Sequence, residues 1–211
     1  MTEPARRFPV GLTIAVAISL SILIGLGVWQ LQRLAWKEHL LERVAALQAA
    51  PAQSAAAALE RMAAGADVDF ARVSIECQGL ASAPYVQLYS VRDGAPGQRL
   101  ISACEIADGP YRSILVDRGF VADSVSARPK IDAADRTPIT VVGVLRVPEK
   151  GNFVSPPNDV AANSWYVRDV AAMAKALKAD KPAPLVLMAE TPSNPDWKAL
   201  DPAPLPAQIT N

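Results

Sequence analysis

The chain has 211 residues, 51% of them hydrophobic, and its 21 basic residues balance its 21 acidic residues. This balance indicates neither a basic surface nor an acidic tail, so we expect no nucleic acid partner. The chain has one histidine and two cysteines, which leaves little material for a histidine-based catalytic triad or a zinc cluster.

The first predicted element is a membrane anchor. No charge occurs from Phe8 to Gln32, and the apolar stretch from Val10 to Val28 has the length of about 20 residues that a helix needs to cross a bilayer. A cleaved signal peptide would have a shorter apolar core and a small-residue cleavage site. We therefore predict that residues 1–50 form an N-terminal tail, an uncleaved transmembrane helix and its juxtamembrane extension.

The basic residues around this span bear on its orientation. Arg6 and Arg7 precede it, whereas Arg33, Lys37 and Arg43 follow it. Their distribution alone is not decisive, but a short tail with two arginines stays most easily in the cytoplasm. Such a tail also leaves no room for an organellar transit peptide. We predict a bacterial inner membrane, with the soluble domain facing the periplasm.

Residues 51–190 predict one α+β domain with a mainly antiparallel sheet. An alanine-rich helix is expected from Ser54 to Ala64, and a second helix from about Arg168 to Lys178 should pack on the sheet. Short turns, including Asp93–Gly97, favour hairpins over crossovers. The predicted strands are Arg72–Gln78, Tyr85–Val91, Arg99–Ile106, Ser113–Val121, Ile139–Val147 and Leu185–Ala189. Residues 191–211 are rich in proline and are expected to form an extended tether.

The two cysteines fall on apolar faces of predicted strands. Cys77 is in line with Val73 and Ile75, and Cys104 with Leu100 and Ile106. Buried cysteines often act as small core residues. A disulfide could also persist on the outer side of the membrane. Both interpretations remain open from the sequence.

The sequence contains no set of residues typical of a catalytic site. No glycine-rich phosphate-binding motif occurs, and the single histidine, His39, lies just beyond the span. His39 could ligate a haem iron or face water at the helix surface. Trp29, Arg33 and Trp36 could anchor the helix at the membrane interface or contact a partner. We predict no catalytic residue and a protein that is not an enzyme.

Two polar segments of the predicted domain are candidate binding sites. Asp117-Arg118-Gly119-Phe120 closes an apolar strand, where a charged pair could form an ion pair at a strand end beside a bulge, or bind a partner. The second segment follows a pair of prolines and combines amides with aromatic rings, which suits a partner surface or a lid on the core. It contains Asn158, Asn163, Trp165 and Tyr166.

Three motifs together resemble the surfeit locus protein 1 family of cytochrome c oxidase assembly factors. The family's Gly-x-Trp-Gln-x-x-Arg-x-x-Trp-Lys run is matched from Gly27 to Lys37, including Trp29, Gln30, Arg33 and Trp36. Its Val-Asn-Arg-Gly-Trp-Val strand is resembled from Val116 to Val121, with Asp for Asn and Phe for Trp. A third segment is resembled from Gly143 to Asp169.

The resemblance implies a function and an interface. It implies an assembly factor that matures oxidase subunit I, with proposed binding of haem a and a soluble domain held between two transmembrane helices. The second helix, after an Asn-His motif, is expected beyond Asn211. The candidate partner residues are Trp29, Gln30, Arg33, Trp36, Arg118, Gly119, Asn158 and Trp165. The alternative is a scaffolding membrane protein of a respiratory complex that does not handle haem.

Overall fold

A computed structural model describes residues 10–148, 151, 155–194 and 197–202. The chain divides into two compact units between residues 45 and 46.

The first unit consists of helix α1, which runs over Val10–Ala49 and continues into the second unit. Its segment Val10–His39 has a mean hydropathy of 2.3 over its most apolar window, and none of that window is buried in protein. Apolar side chains are exposed along the span, from Leu12 to Leu34. A helix that is apolar on every side and uncovered by protein suits lipid, so the predicted transmembrane helix is confirmed.

The second unit is a sheet with a helix on each face. Its strands are β1 (Gln53–Ser54), β2 (Arg72–Gln78), β3 (Tyr85–Arg92), β4 (Ala95–Glu105), β5 (Ser113–Ala122), β6 (Pro138–Arg146), β7 (Ser164–Trp165) and β8 (Pro182–Ala189). Its helices are α2 (Ala55–Ala63) and α3 (Val170–Ala176), and a short 3₁₀ turn spans Leu80–Ser82.

The strands form one mixed sheet in the order β1-β2-β6-β8-β5-β4-β3-β7. Four of its seven pairings are antiparallel. The predicted α+β fold with a mainly antiparallel sheet is confirmed. The parallel pairing of β5 with β8 is possible because the chain passes through β6 and α3 between these two strands.

The six predicted strands are present; β2 has the predicted bounds, and the other five have shifted ends. β4 begins at Ala95 rather than at Arg99, because the hairpin turn uses only Asp93 and Gly94. Both turn residues have positive φ, 51° and 79°. A two-residue turn requires positive φ at both positions when its twist matches that of the flanking strands. The sequence did not predict β1 or β7, since each has only two residues.

The helices bury apolar side chains on opposite faces of the sheet. On one face, Ala58 and Leu59 of α2 lie in a cluster with β2, β4, β5, β6 and β8. On the other face, Met173 and Ala174 of α3 pack in a cluster that contains Trp165. Burial of each large apolar side chain stabilises the folded state by about 1.5–3 kcal/mol.

A disulfide joins two strands that are not neighbours in the sheet. Cys77 of β2 is bonded to Cys104 of β4, with 5.3 Å between the Cα atoms, although β6, β8 and β5 lie between these strands in the sheet order. The sheet therefore curls until the inner faces of β2 and β4 meet. Both cysteines are buried, so they are core residues as well as a cross-link.

We predict that this cross-link is a main source of stability for the second unit. It closes a separation of 27 residues, for which chain entropy gives about 3.5 kcal/mol. The variant with Cys77→Ala and Cys104→Ala should lose about that much unfolding free energy, measured by denaturant titration of the full chain in detergent. Reductant should destabilise the wild type and leave the variant unchanged. Equal wild-type stability with and without reductant would contradict this prediction.

Candidate functional site

The first candidate cluster lies on α1 near the end of the membrane span. Trp29, Arg33 and Trp36 follow a spacing of four and three residues, which places them on one face of the helix. The Arg33 guanidinium lies 5.4 Å from the centroid of the Trp29 ring, a cation–π contact. Trp29 is 49% and Trp36 64% exposed. Gln30 is also exposed, about 100° around the helix from Trp29.

The second candidate cluster is centred on Asp117, which is fully buried in β5. Its Oδ2 atom accepts hydrogen bonds from Arg99 Nε at 2.6 Å and from an Arg168 terminal nitrogen at 3.2 Å. The predicted ion pair between Asp117 and Arg118 at a strand end is therefore wrong: Asp117 lies in the middle of β5, and its cations are Arg99 and Arg168. Consecutive strand residues point to opposite faces, so Asp117 and Arg118 lie on different sides of the sheet.

A bulge accompanies this ion pair, as the sequence predicted. The register of β4 against β5 shifts between Arg99 and Ile101. Arg99 is opposite Phe120, whereas Ile101 is opposite Asp117. The irregular register brings the Arg99 side chain within hydrogen-bond distance of the Asp117 carboxylate.

Arg118 is also fully buried, yet each of its hydrogen-bond acceptors is uncharged. Burial disfavours the charged form and lowers the pKa of the Arg118 guanidinium to about 10, while Tyr85 acts in the opposite direction. The guanidinium remains protonated at neutral pH. It donates to Ser193 Oγ at 3.1 Å, Ser102 Oγ at 3.2 Å, the Ala81 carbonyl at 2.8 Å and the Asn194 amide oxygen. Arg118 thus ties β5 to the 3₁₀ turn and to the segment that follows β8.

Gly119 lets that segment return onto β5. Gly119 has a φ of 134°, and a Cβ atom there would lie 2.4 Å from the Asp201 carbonyl oxygen. Phe120 and Asp201 exchange two main-chain hydrogen bonds, and Leu200 is buried against the sheet. Ser193, Leu200 and Asp201 therefore lie against the domain. Of the tether predicted over residues 191–211, residues 195–196 and 203–211 lie outside the described residues.

Asn158 and Trp165 organise the turn that carries β7. The Asn158 amide oxygen accepts hydrogen bonds from the main-chain nitrogens of Tyr166 and Val167, at 2.8 and 3.0 Å. Trp165 is 1% exposed, and its indole nitrogen donates to the Asn163 amide oxygen. Trp165 thus packs in the core, whereas Tyr166 is 40% exposed at the surface.

The fold brings two of the three motif segments together. Arg168 follows the β7 turn and reaches Asp117, so the segments around residues 117 and 165 share one region. Arg99 and Arg168, the cations of this region, were not among the predicted site residues. The sequence feature that could have indicated Arg99 is its position as the one basic residue of a largely apolar predicted strand.

The described residues of the second unit include no histidine and no free cysteine. Among the described residues, no group of three or more histidine, cysteine or acidic side chains could hold a metal ion. Both cysteines are in the disulfide, and the single histidine of the chain, His39, is exposed on α1.

The fold and these clusters define a membrane-anchored α+β protein with a buried ionic network in its sheet domain. The chain belongs to the SURF1 family, whose model matches residues 17–210. It is 27% identical to surfeit locus protein 1 of Takifugu rubripes over 172 residues, 74% of this chain and 70% of that protein. It is 30% identical to surfeit locus protein 1 of Mus musculus over 176 residues, 74% of this chain and 55% of that protein.

We predict that Gly119→Ala destabilises the second unit strongly. The new Cβ would overlap the Asp201 main chain, in addition to a backbone strain of about 1–3 kcal/mol. Gly109→Ala is a matched control, because Gly109 has a similar φ of 114° but open space around it. Unfolding free energies should fall further for Gly119→Ala than for Gly109→Ala. Equal losses of unfolding free energy in the two variants would show that the close approach of Asp201 is not the reason for glycine at position 119.

The turn that supports Arg118 is held by Asp135. The Ser82 hydroxyl donates to one Asp135 carboxylate oxygen, and the Thr137 main-chain nitrogen donates to the other at 2.8 Å. These hydrogen bonds, that of Ser82 first, lower the pKa of Asp135 to about 2. The carboxylate therefore stabilises the fold above its ordinary pKa of 3.8, and this contribution is lost as the pH falls through about 2.

We predict a pH-dependent difference between the wild type and Asp135→Asn. The wild type should be the more stable protein at about pH 5, and the difference should shrink as the pH falls from about 4 to about 2. Denaturant titrations of both proteins across this range measure it, and subtraction removes the titration of the other acidic groups. A constant difference would contradict the assignment to the carboxylate.

Proposed function

We propose that this protein is an inner-membrane assembly factor for cytochrome c oxidase, which assists haem a insertion or maturation of subunit I without catalysis of its own. Membership in the SURF1 family carries this proposal, since it implies a role in the assembly of cytochrome c oxidase. The partners would be oxidase subunits, subunit I above all, together with the lipid bilayer.

The exposed cluster on α1 supports a contact close to the membrane. Trp29 and Arg33 stack on one face of the helix, and Gln30 adds an amide beside them. Aromatic rings and basic groups suit the membrane interface. An amide and a guanidinium also suit the acidic and carbonyl groups of a partner or cofactor. We propose that these three side chains face the client.

The disulfide supports a periplasmic location for the second unit. Disulfides persist in oxidising compartments such as the bacterial periplasm and are rare in the cytosol. The buried bond between Cys77 and Cys104 is therefore consistent with export of the domain. This location would also place the domain beside the outer-facing parts of an inner-membrane oxidase.

We assign the second unit to contact with oxidase subunits, since both of its cysteines are in the disulfide and the single histidine of the chain lies on α1. The alternative is a scaffolding membrane protein of a respiratory complex that does not handle haem. Two measurements on the purified full chain separate these functions. They are absorbance during titration with haem and co-purification of oxidase subunits.

We predict that replacing Trp29, Gln30 and Arg33 by alanine lowers the haem a content of the oxidase. The triple variant would lose the stacked cation and the amide that the proposal assigns to client contact. Haem a is measured from the reduced spectrum of oxidase in isolated membranes. The matched control replaces three other polar residues of the same helix by alanine, namely Gln32, Glu38 and Glu42. None of them belongs to the stacked pair of Trp29 and Arg33.

Both variants must be present in membranes at wild-type levels, as an immunoblot shows. The control should support normal haem a incorporation. If the triple variant also supports normal incorporation, the cluster serves as a lipid anchor only, and its assignment to the client is wrong.

A further inference from the structure

One edge of the sheet is only partly covered. β3 pairs with β4 along its whole length, from Tyr85 to Arg92. On its other side, β7 pairs only with Gln87 and Leu88. No described strand pairs with this side of β3 beyond Leu88, and an unpaired strand edge is a template for another strand.

The contacts of Asn163 show which main-chain groups face that side. Its side chain accepts a hydrogen bond from the Gln87 nitrogen and donates one to the Tyr85 carbonyl. Main-chain groups of an antiparallel strand point to alternate sides, so odd-numbered residues of β3 face away from β4. Val91 therefore presents both its N–H and its C=O group to the uncovered side.

Exposed apolar side chains concentrate at the same edge. Six large hydrophobic residues of the second unit are exposed among the described residues, and four of them lie on β3 or on the turn that carries β7. These four are Tyr89, Val91, Val160 and Tyr166. The Tyr89 and Tyr166 rings lie 6.0 Å apart and tilted, which gives a two-ring surface. Such a concentration marks an interaction site.

More acidic than basic side chains lie around the edge, although Arg128 donates to the Gln87 side chain of β3 at 3.3 Å. Arg92 pairs with Asp201 at 2.8 Å and lies 3.7 Å from Asp93, so these three residues carry a net charge of −1. Asp159, on the β7 turn, is exposed and adds a second negative charge. A basic partner segment would be attracted to this edge, and an acidic one repelled.

We propose that the edge from Tyr89 to Arg92 binds an extended segment of a partner polypeptide as an added strand. Main-chain hydrogen bonds to Val91 supply affinity, and the two tyrosine rings select apolar side chains at alternate positions of the segment. Basic residues at the intervening positions meet Asp93 and Asp159. The proposal depends on the geometry of this edge, and it stands whether or not the partner is an oxidase subunit.

The test uses the full chain in nonionic detergent and a fluorescent eight-residue peptide of alternating valine and lysine. Fluorescence anisotropy should show saturable binding to the wild type. N-methylation of alternate peptide nitrogens should weaken it about tenfold or more, because it removes main-chain donors. A peptide with glutamate in place of lysine should also bind less tightly.

The protein variants test the same edge from the other side. Val91→Pro removes only an N–H group that faces away from β4, and proline is tolerated where a strand N–H faces solvent. It should weaken binding about tenfold. Val91→Thr keeps the N–H group and should bind like the wild type. Tyr166→Ala should weaken binding without altering the effect of N-methylation.

The proposal is overturned by any of three results. The first is that no peptide binds the wild type. The second is that binding is indifferent to N-methylation, a comparison that uses only wild-type protein and so does not depend on the fold of a variant. The third is that the wild type self-associates in sedimentation and Val91→Pro prevents this, which would make a second copy the occupant of the edge.

Discussion

The second unit depends on two adjacent buried charges in β5 that are compensated in different ways. Asp117 is held by two guanidinium groups, whereas Arg118 is held only by hydroxyl, amide and carbonyl oxygens. Moving a charge out of water costs several kcal/mol even after relaxation. Neutral dipoles compensate this cost for Arg118 only in part, and the lowered pKa of its guanidinium reflects the deficit. Removing one partner of such a buried charge typically costs about 3–5 kcal/mol.

These charges define what the surrounding segments must do. Because Arg118 needs several acceptors at once, the 3₁₀ turn and the segment after β8 must both lie against β5. Gly119 then makes room for the same returning segment at Asp201, and the disulfide holds β2 against β4. Four distant parts of the chain are thereby fixed around one strand. Most exposed large apolar side chains among the described residues of the second unit lie on β3 or on the turn that carries β7.

The sequence predicted local features well and long-range pairings poorly. Alternating residues gave Arg72–Gln78 at its observed bounds, and Asp93-Gly94 marked the hairpin between β3 and β4. These signals depend on residues that are close in the chain. The parallel pairing of β5 with β8, and the approach of Arg99 and Arg168 to Asp117, join residues 18 to more than 50 positions apart. The local periodicity of a sequence does not indicate such contacts. For the same reason, the sequence did not show whether the two cysteines form a disulfide.

Two motif residues of the sheet domain position their own turn rather than lie at the surface of the domain. Trp165 and Asn158 were predicted as contact residues, yet Trp165 is buried and Asn158 hydrogen bonds to the main chain of its own turn. Their effect is to fix Tyr166, which is exposed beside Tyr89. A substitution at Trp165 would then change recognition by displacing the tyrosine pair, even though the indole touches nothing outside the domain. A motif can thus be read as a binding signature although its own side chains face the core.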